Sequence, residues 1–347
     1  MKRDNNIING FCFAIAACIL AACSTEEVLE GQQEQDFLNL SASKIQVTTK
    51  APTTPALEDF NPGTKYSIYG YVSGTKENLW GKGKANPRLC TETADHAIDY
   101  WTGEAGQTID KISLGTKTAE FYGFTYGSDK KIDGTAYLTT EPNKIKIAAD
   151  NTTKKVDDLM FSNNLKNCNS SQGTLQMNFK HAMSKLKFEI FKDPETNYAD
   201  SKKYFLNTTL TKIEITTSGN AIFNVLNGTW SDWGTEEVTS VHFNNNPGKK
   251  LETTTKPIDG ETLIIPNNAA IKVTIHLANV KSGSGTEATK TLTYQIKDKN
   301  EIDPYKFLPN HQYTLTIGVL REKGAIVIAF DPLVEPWKDK AIDLGET

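Results

Sequence analysis

The sequence has little that would carry it through a membrane or onto a nucleic acid. Its one prominent apolar run, Phe11 to Ala22 (FCFAIAACILAA), is twelve residues long, short of the ~20 that a spanning helix needs. Its 38 basic residues are outnumbered by 42 acidic ones and form no cluster, which excludes a nucleic-acid partner. Catalytic signatures are lacking too: there is no H-E-x-x-H, no G-x-S-x-G and no P-loop. Gly81-x-Gly83 and Gly283-Ser284-Gly285 are isolated turn signals. Asp157-Asp158 and Glu236-Glu237 are adjacent pairs, which on a strand point to opposite faces and make poor acid/base couples. The five histidines, His96, His181, His242, His276 and His311, have no ligand spacing, so neither a metal nor another cofactor is expected. An enzyme is therefore not expected, although a glycosidase can carry its two carboxylates far apart in sequence.

What is present begins at the N-terminus. Lys2 and Arg3 precede the apolar run, which suits the h-region of a signal peptide, and the run ends Leu20-Ala21-Ala22-Cys23. That ending resembles the bacterial lipobox, in which small residues fit the peptidase and the cysteine thiol takes the diacylglycerol. The reading is a signal peptide over residues 1–22 and lipid attachment at Cys23. Several buried acyl chains at ~0.8 kcal/mol per methylene hold a membrane where a single chain does not. Glu26 and Glu27, just past the cysteine, look like the signal that sends Bacteroidetes lipoproteins to the outer face of the cell; a merely solvated acidic tether reads the same way. Residues 23–36 are rich in Glu and Gln and poor in apolar residues, as a disordered tether is. Without residues 1–22 the chain has 36 basic and 41 acidic residues. Cys90 and Cys168 are then the remaining thiols, either paired outside the cytoplasm or free and buried.

The body alternates with period two. Strands are expected at Ile45–Thr49, Tyr66–Val72, Ala119–Tyr126, Lys144–Ala148, Thr174–Phe179, Lys185–Ile190 and Lys212–Thr217. Others are expected at Thr262–Ile265, Ile271–Leu277, Lys290–Ile296, Gln312–Leu320 and Ala325–Phe330. Turn residues separate them, among them Asn61-Pro62-Gly63, Asp133-Gly134 and Asn227-Gly228. Short strands without crossover helices predict an all-β chain of two antiparallel sandwiches. The polar stretch Asn163–Gly173 is the expected boundary, dividing residues 37–173 from residues 174–347.

Several segments then look familiar in their order. Asp157-Asp158-Leu159-Met160-Phe161 is followed by Phe179-Lys180-His181-Ala182-Met183-Ser184-Lys185-Leu186, then by Leu263-Ile264-Ile265-Pro266. Phe307-Leu308-Pro309-Asn310-His311-Gln312-Tyr313 and Glu335-Pro336-Trp337 come last. Together they resemble the fimbrillin-like lipoproteins of Bacteroidetes. Phe307 departs from that family's usual Leu, and Asn310 from its usual Gly; Asn is the next best residue for a positive φ. His181 itself reads as a buried hydrogen-bonding spacer, and Trp337 as a plug closing a sandwich.

The resemblance implies two transthyretin-like β-sandwich domains and a role as a surface fimbrial subunit in adhesion. It also implies an outer-membrane location through the lipid, other fimbrial subunits as partners and, beyond them, host or bacterial surface ligands. In members that polymerise, a protease removes the first strand and a neighbour's strand fills the groove, as in β-augmentation. The matching cut here lies at Lys50-Ala51, with Lys where the family has Arg and with Pro52 close behind. The donor would be Gln312–Leu320 or Ala325-Ile326-Val327-Ile328-Ala329-Phe330, each of which also reads as an ordinary core strand. Two other roles stay open: an uncleaved, lipid-held anchor subunit, and a surface glycan-binding lipoprotein using Trp230-Ser231-Asp232-Trp233 or Tyr100-Trp101. The latter requires indoles exposed on one face; a fimbrial subunit should bury them.

Overall fold

A computed structural model describes residues 39–46, 56–82, 86–92, 98–100, 114–126, 141–266, 271–281, 286–297, 304–322 and 325–336. The strands in them begin with β1 Asn39–Gln46, β2 Ala56–Asp59, β3 Lys65–Val72, β4 Arg88–Glu92, β5 Ile98–Tyr100 and β6 Ala119–Thr125. Next are β7 Lys144–Ala148, β8 Met160–Cys168, β9 Thr174–His181, β10 Ser184–Lys192, β11 Thr209–Ser218, β12 Asn220–Asn224 and β13 Thr229–Ser231. The last are β14 Glu237–Lys250, β15 Lys256–Ile264, β16 Lys272–Lys281, β17 Glu287–Gln295, β18 His311–Glu322 and β19 Ala325–Pro336. The chain is all-β, as its alternation predicts.

The clearest sandwich comes from the second half. Sheet β15-β10-β18-β19 faces sheet β14-β11-β16-β17. Alternate residues of each strand turn inward: Leu186, Phe188 and Ile190 of β10 and Leu315, Ile317 and Val319 of β18 meet Ile213 and Ile215 of β11 and Val273 and Ile275 of β16. The residues between them point to solvent, the period-two division that a half-buried strand requires.

The first half is one eight-stranded sheet, β2-β1-β9-β8-β6-β3-β4-β5, folded on itself. Leu40, Ala42, Met177 and Phe179 of β1 and β9 share a core with Tyr66, Ile68 and Phe121 of β3 and β6. The Phe179 and Tyr66 ring centroids are 5.3 Å apart across it. The fold falls between β8 and β9, which pair only through Met160↔His181 and Phe161↔Lys180. Beyond that point the Asn164 side chain bridges the diverging strands, donating to the Gln176 carbonyl at 2.9 Å and accepting from the Asn178 N–H at 2.9 Å. The two layers approach closely at Gly123, where a Cβ would lie 2.7 Å from Ile68 Cδ1 and 3.0 Å from Met177 Cε.

A small sheet, β13-β12-β7, closes the outer face of β3 and β6. Its Ile145, Ile147, Ala221 and Phe223 pack with Tyr69, Tyr122 and Phe124. Strands from the two halves of the chain thus share a core.

Four expectations are corrected. The boundary at Thr174 is not where the sheets part: β9 pairs with β1 and β8, and the chain crosses to the next sheet at Ala182-Met183. Asn163–Cys168 is strand, not linker; its asparagines suit the bend. Two pairings, β1 with β9 and β10 with β18, are parallel. Each joins strands more than a hundred residues apart in sequence, which leaves ample chain for the crossover that a parallel pair needs. Finally, the first strand begins at Asn39 rather than Ile45.

Candidate assembly site

β1 lies between two neighbours, antiparallel to β2 and parallel to β9. Leu40 and Ala42 are 2% and 1% exposed, so this eight-residue strand fills part of the first core as well as completing the sheet. Ser43 Oγ donates to Asn178 Oδ1 at 3.2 Å, fastening the register on the other face. Leu175, Met177 and Phe179 of β9 stand in a buried row beside it, and Phe60 closes the end. Under this wall the Tyr66 hydroxyl donates to the buried Glu92 carboxylate. Burial, then the Glu92 charge, pushes the Tyr66 hydroxyl far above its ordinary value, so it stays a donor. Taking β1 away would bare a row of β9 main-chain groups above an apolar trough.

The other element of interest is at the far side of the second sandwich. β19 is the edge of its sheet and pairs with β18 along its whole length, from Glu322↔Ala325 to His311↔Pro336. Ala325–Phe330, the donor candidate, lies opposite Glu322–Ile317. Among the described residues β19 has no neighbour on its outer side. β18, by contrast, is held by β10 as well, and by a cluster that sequence reasoning missed. The Arg321 guanidinium lies 3.8 Å and 3.7 Å from the ring centroids of Tyr198 and Tyr204. Its Nη1 donates to Glu195 Oε1 at 3.2 Å and to the Lys202 carbonyl at 2.9 Å. Glu195 also accepts the Tyr204 and Phe205 N–H groups, each at 2.9 Å. No spacing reveals this cluster, because Glu195 and Arg321 are brought together only by the parallel pairing of β10 with β18.

The familiar segments meet at the crossing. Ala182 N–H donates to the Leu159 carbonyl at 2.7 Å, and Asn310 N–H donates to the Met183 carbonyl at 2.9 Å. Asn310 Oδ1 accepts the His181 N–H at 3.2 Å, and Ser184 Oγ donates to the Leu308 carbonyl at 2.8 Å. Asn310 has φ +60°, the conformation for which Gly or Asn is needed. His181 is buried with Nδ1 2.8 Å from Asp158 Oδ1, so it has a carboxylate partner that its sequence neighbourhood did not suggest. Trp230 Nε1 donates to the Ala182 carbonyl at 2.9 Å, and its ring packs on Phe223 at 4.9 Å. Trp230 is thus turned inward, whereas Trp233 is 36% exposed.

Cys90 and Cys168 are both buried. The disulfide alternative is corrected by the sheet order: β3 and β6 stand between β4 and β8, so three interstrand steps of ~4.8 Å separate thiols that need Cα atoms within ~7 Å. Burial pushes the Cys168 thiol up. Cys23, Lys50, Ala51 and Trp101 lie outside the described residues.

The sequence profile described as fimbrillin-like matches residues 43–337, from within β1 to just past β19. The chain belongs to the fimbrillin-like family. Solved structures agree in fold. A Bacteroides ovatus protein named for a suspected role in cell adhesion superposes with TM-score 0.56 at 11% identity, over 89% of this chain and 100% of that one. A fimbrial protein from Bacteroides vulgatus gives TM-score 0.53 at 15% identity, over 86% of this chain and 99% of that one. A Bacteroides uniformis protein, also named for suspected cell adhesion, gives 0.50 at 17% identity over 88% and 100%. No protein of curated function matches the sequence. In this fimbrillin-like chain the segments around Leu159, His181–Ser184 and Leu308–Asn310, which carry much of the resemblance, meet where the two halves join, which gives them a structural reason.

Proposed function

We propose that this fimbrillin-like chain is a subunit of a surface fimbrium that serves cell adhesion and polymerises by exchange of a donor strand. Cys23 carries the lipid that takes the chain to the outer membrane. Cleavage at Lys50-Ala51 frees β1, and the trough along β9 accepts the β19 strand of a neighbouring subunit. The chain has no catalytic role in this reading; its work is main-chain pairing between copies.

The observation that carries the reading is the position of β1. A first strand at the free margin of a sheet could leave without consequence. Here it is sandwiched between β2 and β9 with two side chains in the core, so its loss creates both an unpaired edge and an apolar vacancy. Both defects are repaired together by one incoming strand whose alternate residues are apolar. The family membership and the fimbrial name of one structural neighbour point the same way.

The test is N-terminal sequencing and intact mass of the protein recovered from its native cell surface. A start at Ala51 on material that runs as an oligomer ladder is the expected result. An acylated Cys23 followed by an intact tether on all recovered protein would sink the processed-subunit reading.

A further inference from the structure

Strand β10 ends at Lys192 and β11 begins at Thr209, so residues 193–208 form a sixteen-residue connection with no strand of its own. Connections longer than about 12–15 residues are uncommon in a compact fold and are usually either disordered or used for recognition. This one is tied down. The Lys192 ammonium donates to the Phe205 carbonyl and, at 3.2 Å, to the Leu206 carbonyl. The Lys281 N–H donates to the Tyr204 carbonyl and the Leu251 N–H to the Thr208 carbonyl, each at 3.0 Å. Phe205 belongs to the core of the second sandwich, and the Arg321 cluster grips the rest. Glu195 is held at φ +48°, a conformation that a residue with a side chain keeps only where its surroundings enforce it.

Sealing the core accounts for Tyr204 and Phe205, but not for what the loop presents outward. Of the five large apolar side chains that stand exposed among the described residues, two belong here: Tyr198, 41% exposed, and Leu206, 38% exposed. Tyr198 is set in place, since its ring stacks on Arg321. Asn197, Ser201 and Asn207 are exposed around them. A fixed tyrosine among small polar residues suits a protein-binding surface, because the ring offers a large contact area at little cost in entropy.

The position of the loop indicates what covers it. Arg321 adjoins Glu322, where β18 ends, and Glu322 pairs with Ala325 at the start of β19. Ala325 is three residues past Glu322, at most about 11 Å along an extended chain. On the assembly reading given above, on which this inference rests, β19 swings from that hinge into the neighbouring subunit. A strand that replaces β1 in its own direction, parallel to β9, begins beside Thr174 of that subunit. There a 3-10 turn, Ser170–Gln172, fastened by reciprocal hydrogen bonds of Asn169 and Gln172, leaves Ser171 and Gln172 exposed. We propose that residues 193–208 dock on the 169–174 turn of the next subunit, with Tyr198 and Leu206 as anchors, and so set the angle between successive subunits.

The test is photo-crosslinking in fibres grown from processed subunits that carry p-benzoylphenylalanine in place of Tyr198, or of Leu206 where the first replacement does not fold. Irradiation should join this position to residues 169–174 of a second subunit, in fibres and not in unassembled chains, as mass spectrometry of the digest will show. Adducts confined to the same chain, or to another surface of the neighbour, overturn the docking. Leu206→Ser, which leaves the Arg321 cluster untouched, should keep the thermal midpoint of the monomer and make fibres dissociate about tenfold faster on dilution. Unaltered dissociation also overturns the docking. A staple between β18 and β19, Thr316→Cys with Asp331→Cys, separates the two readings. Growth that the oxidised staple blocks, with no adduct at 169–174 in unstapled fibres, keeps the strand exchange and removes the docking. Growth despite the staple removes the donor role of β19, and the docking then stands or falls on the adduct alone. Processed subunits that stay monomeric overturn both.

Discussion

Arg321 sits between two tyrosine rings with the buried Glu195 carboxylate at its tip, and each partner depends on the others. The Glu195 side chain is 1% exposed, so deleting the guanidinium would strand a charge that only two backbone N–H groups then satisfy. Arg321→Ala should cost about 3–5 kcal/mol in chemical denaturation, the scale for breaking a buried ion pair from one side. Arg321→Lys should recover only part of this, since an ammonium keeps the charge but cannot stack between two rings. Equal stability of the two variants would mean that charge alone matters. His242 supplies a pH dependence. Its Nδ1 pairs with Thr262 Oγ1 at 2.9 Å, its ring meets Phe188 at 4.6 Å, and its Nε2 is buried without a hydrogen-bond partner among the described residues. Burial first, then Lys155, brings its pKa down from the usual 6.5 to about 4, with Glu261 opposing. The folded state thus binds this proton less readily than the unfolded one. Stability is full above about pH 6.5, declines as the pH falls, and by pH 4 has lost on the order of 3 kcal/mol from this group. His242→Gln should flatten that decline, as unfolding midpoints at pH 7.5, 6, 5 and 4 will show.

At the scale of elements, β1 and β19 differ in how they are held. β1 is an interior strand whose Leu40 is 2% exposed in the core. Leu40→Ala should lower the stability of the unprocessed chain by about 2–5 kcal/mol. In fibres from which β1 has been removed, the same substitution should change nothing, and an effect there would mean that β1 stays. Among the described residues β19 is an edge strand paired with β18 alone, whereas β18 is also held by β10 and the Arg321 cluster, so on the proposed function β19 is the strand that would leave. Thr316 and Asp331 face each other across that pairing. A disulfide between Thr316→Cys and Asp331→Cys should block fibre growth under oxidising conditions and permit it after reduction. Growth unaffected by the staple would exclude β19 as the donor.

At the scale of the whole molecule, the proposed lipid and the proposed cut would act in opposite directions: one would hold the chain to a membrane and the other would release it. Cys23→Ser should shift the full chain from the membrane to the soluble fraction. Lys50→Gln should leave it lipid-bound and unprocessed. Lys50→Arg, which restores the residue common in the family, should be cut faster despite Pro52. These outcomes are read by fractionation and N-terminal sequencing. A Lys50→Gln chain that still assembles into fibres would assign the cut to another bond.

The sequence by itself determined that the chain is all-β, that most strands lie where apolar and polar residues alternate, and that its family motifs recur in order. Alternation is a local property, and a strand with one buried face must show it. Strands whose pattern is broken escaped notice: β8 because its asparagines serve the bend, and β14 because it is a largely exposed edge that tolerates Pro247 and Gly248. Only the tertiary structure decided where the two halves divide, that β1 is interior rather than marginal, that the two thiols stand too far apart to join, and that Arg321 meets Glu195. Each of these depends on which strand becomes whose neighbour. Pairing joins residues more than a hundred positions apart through main-chain groups that every residue carries alike, so the side-chain pattern of a single strand does not specify its partner.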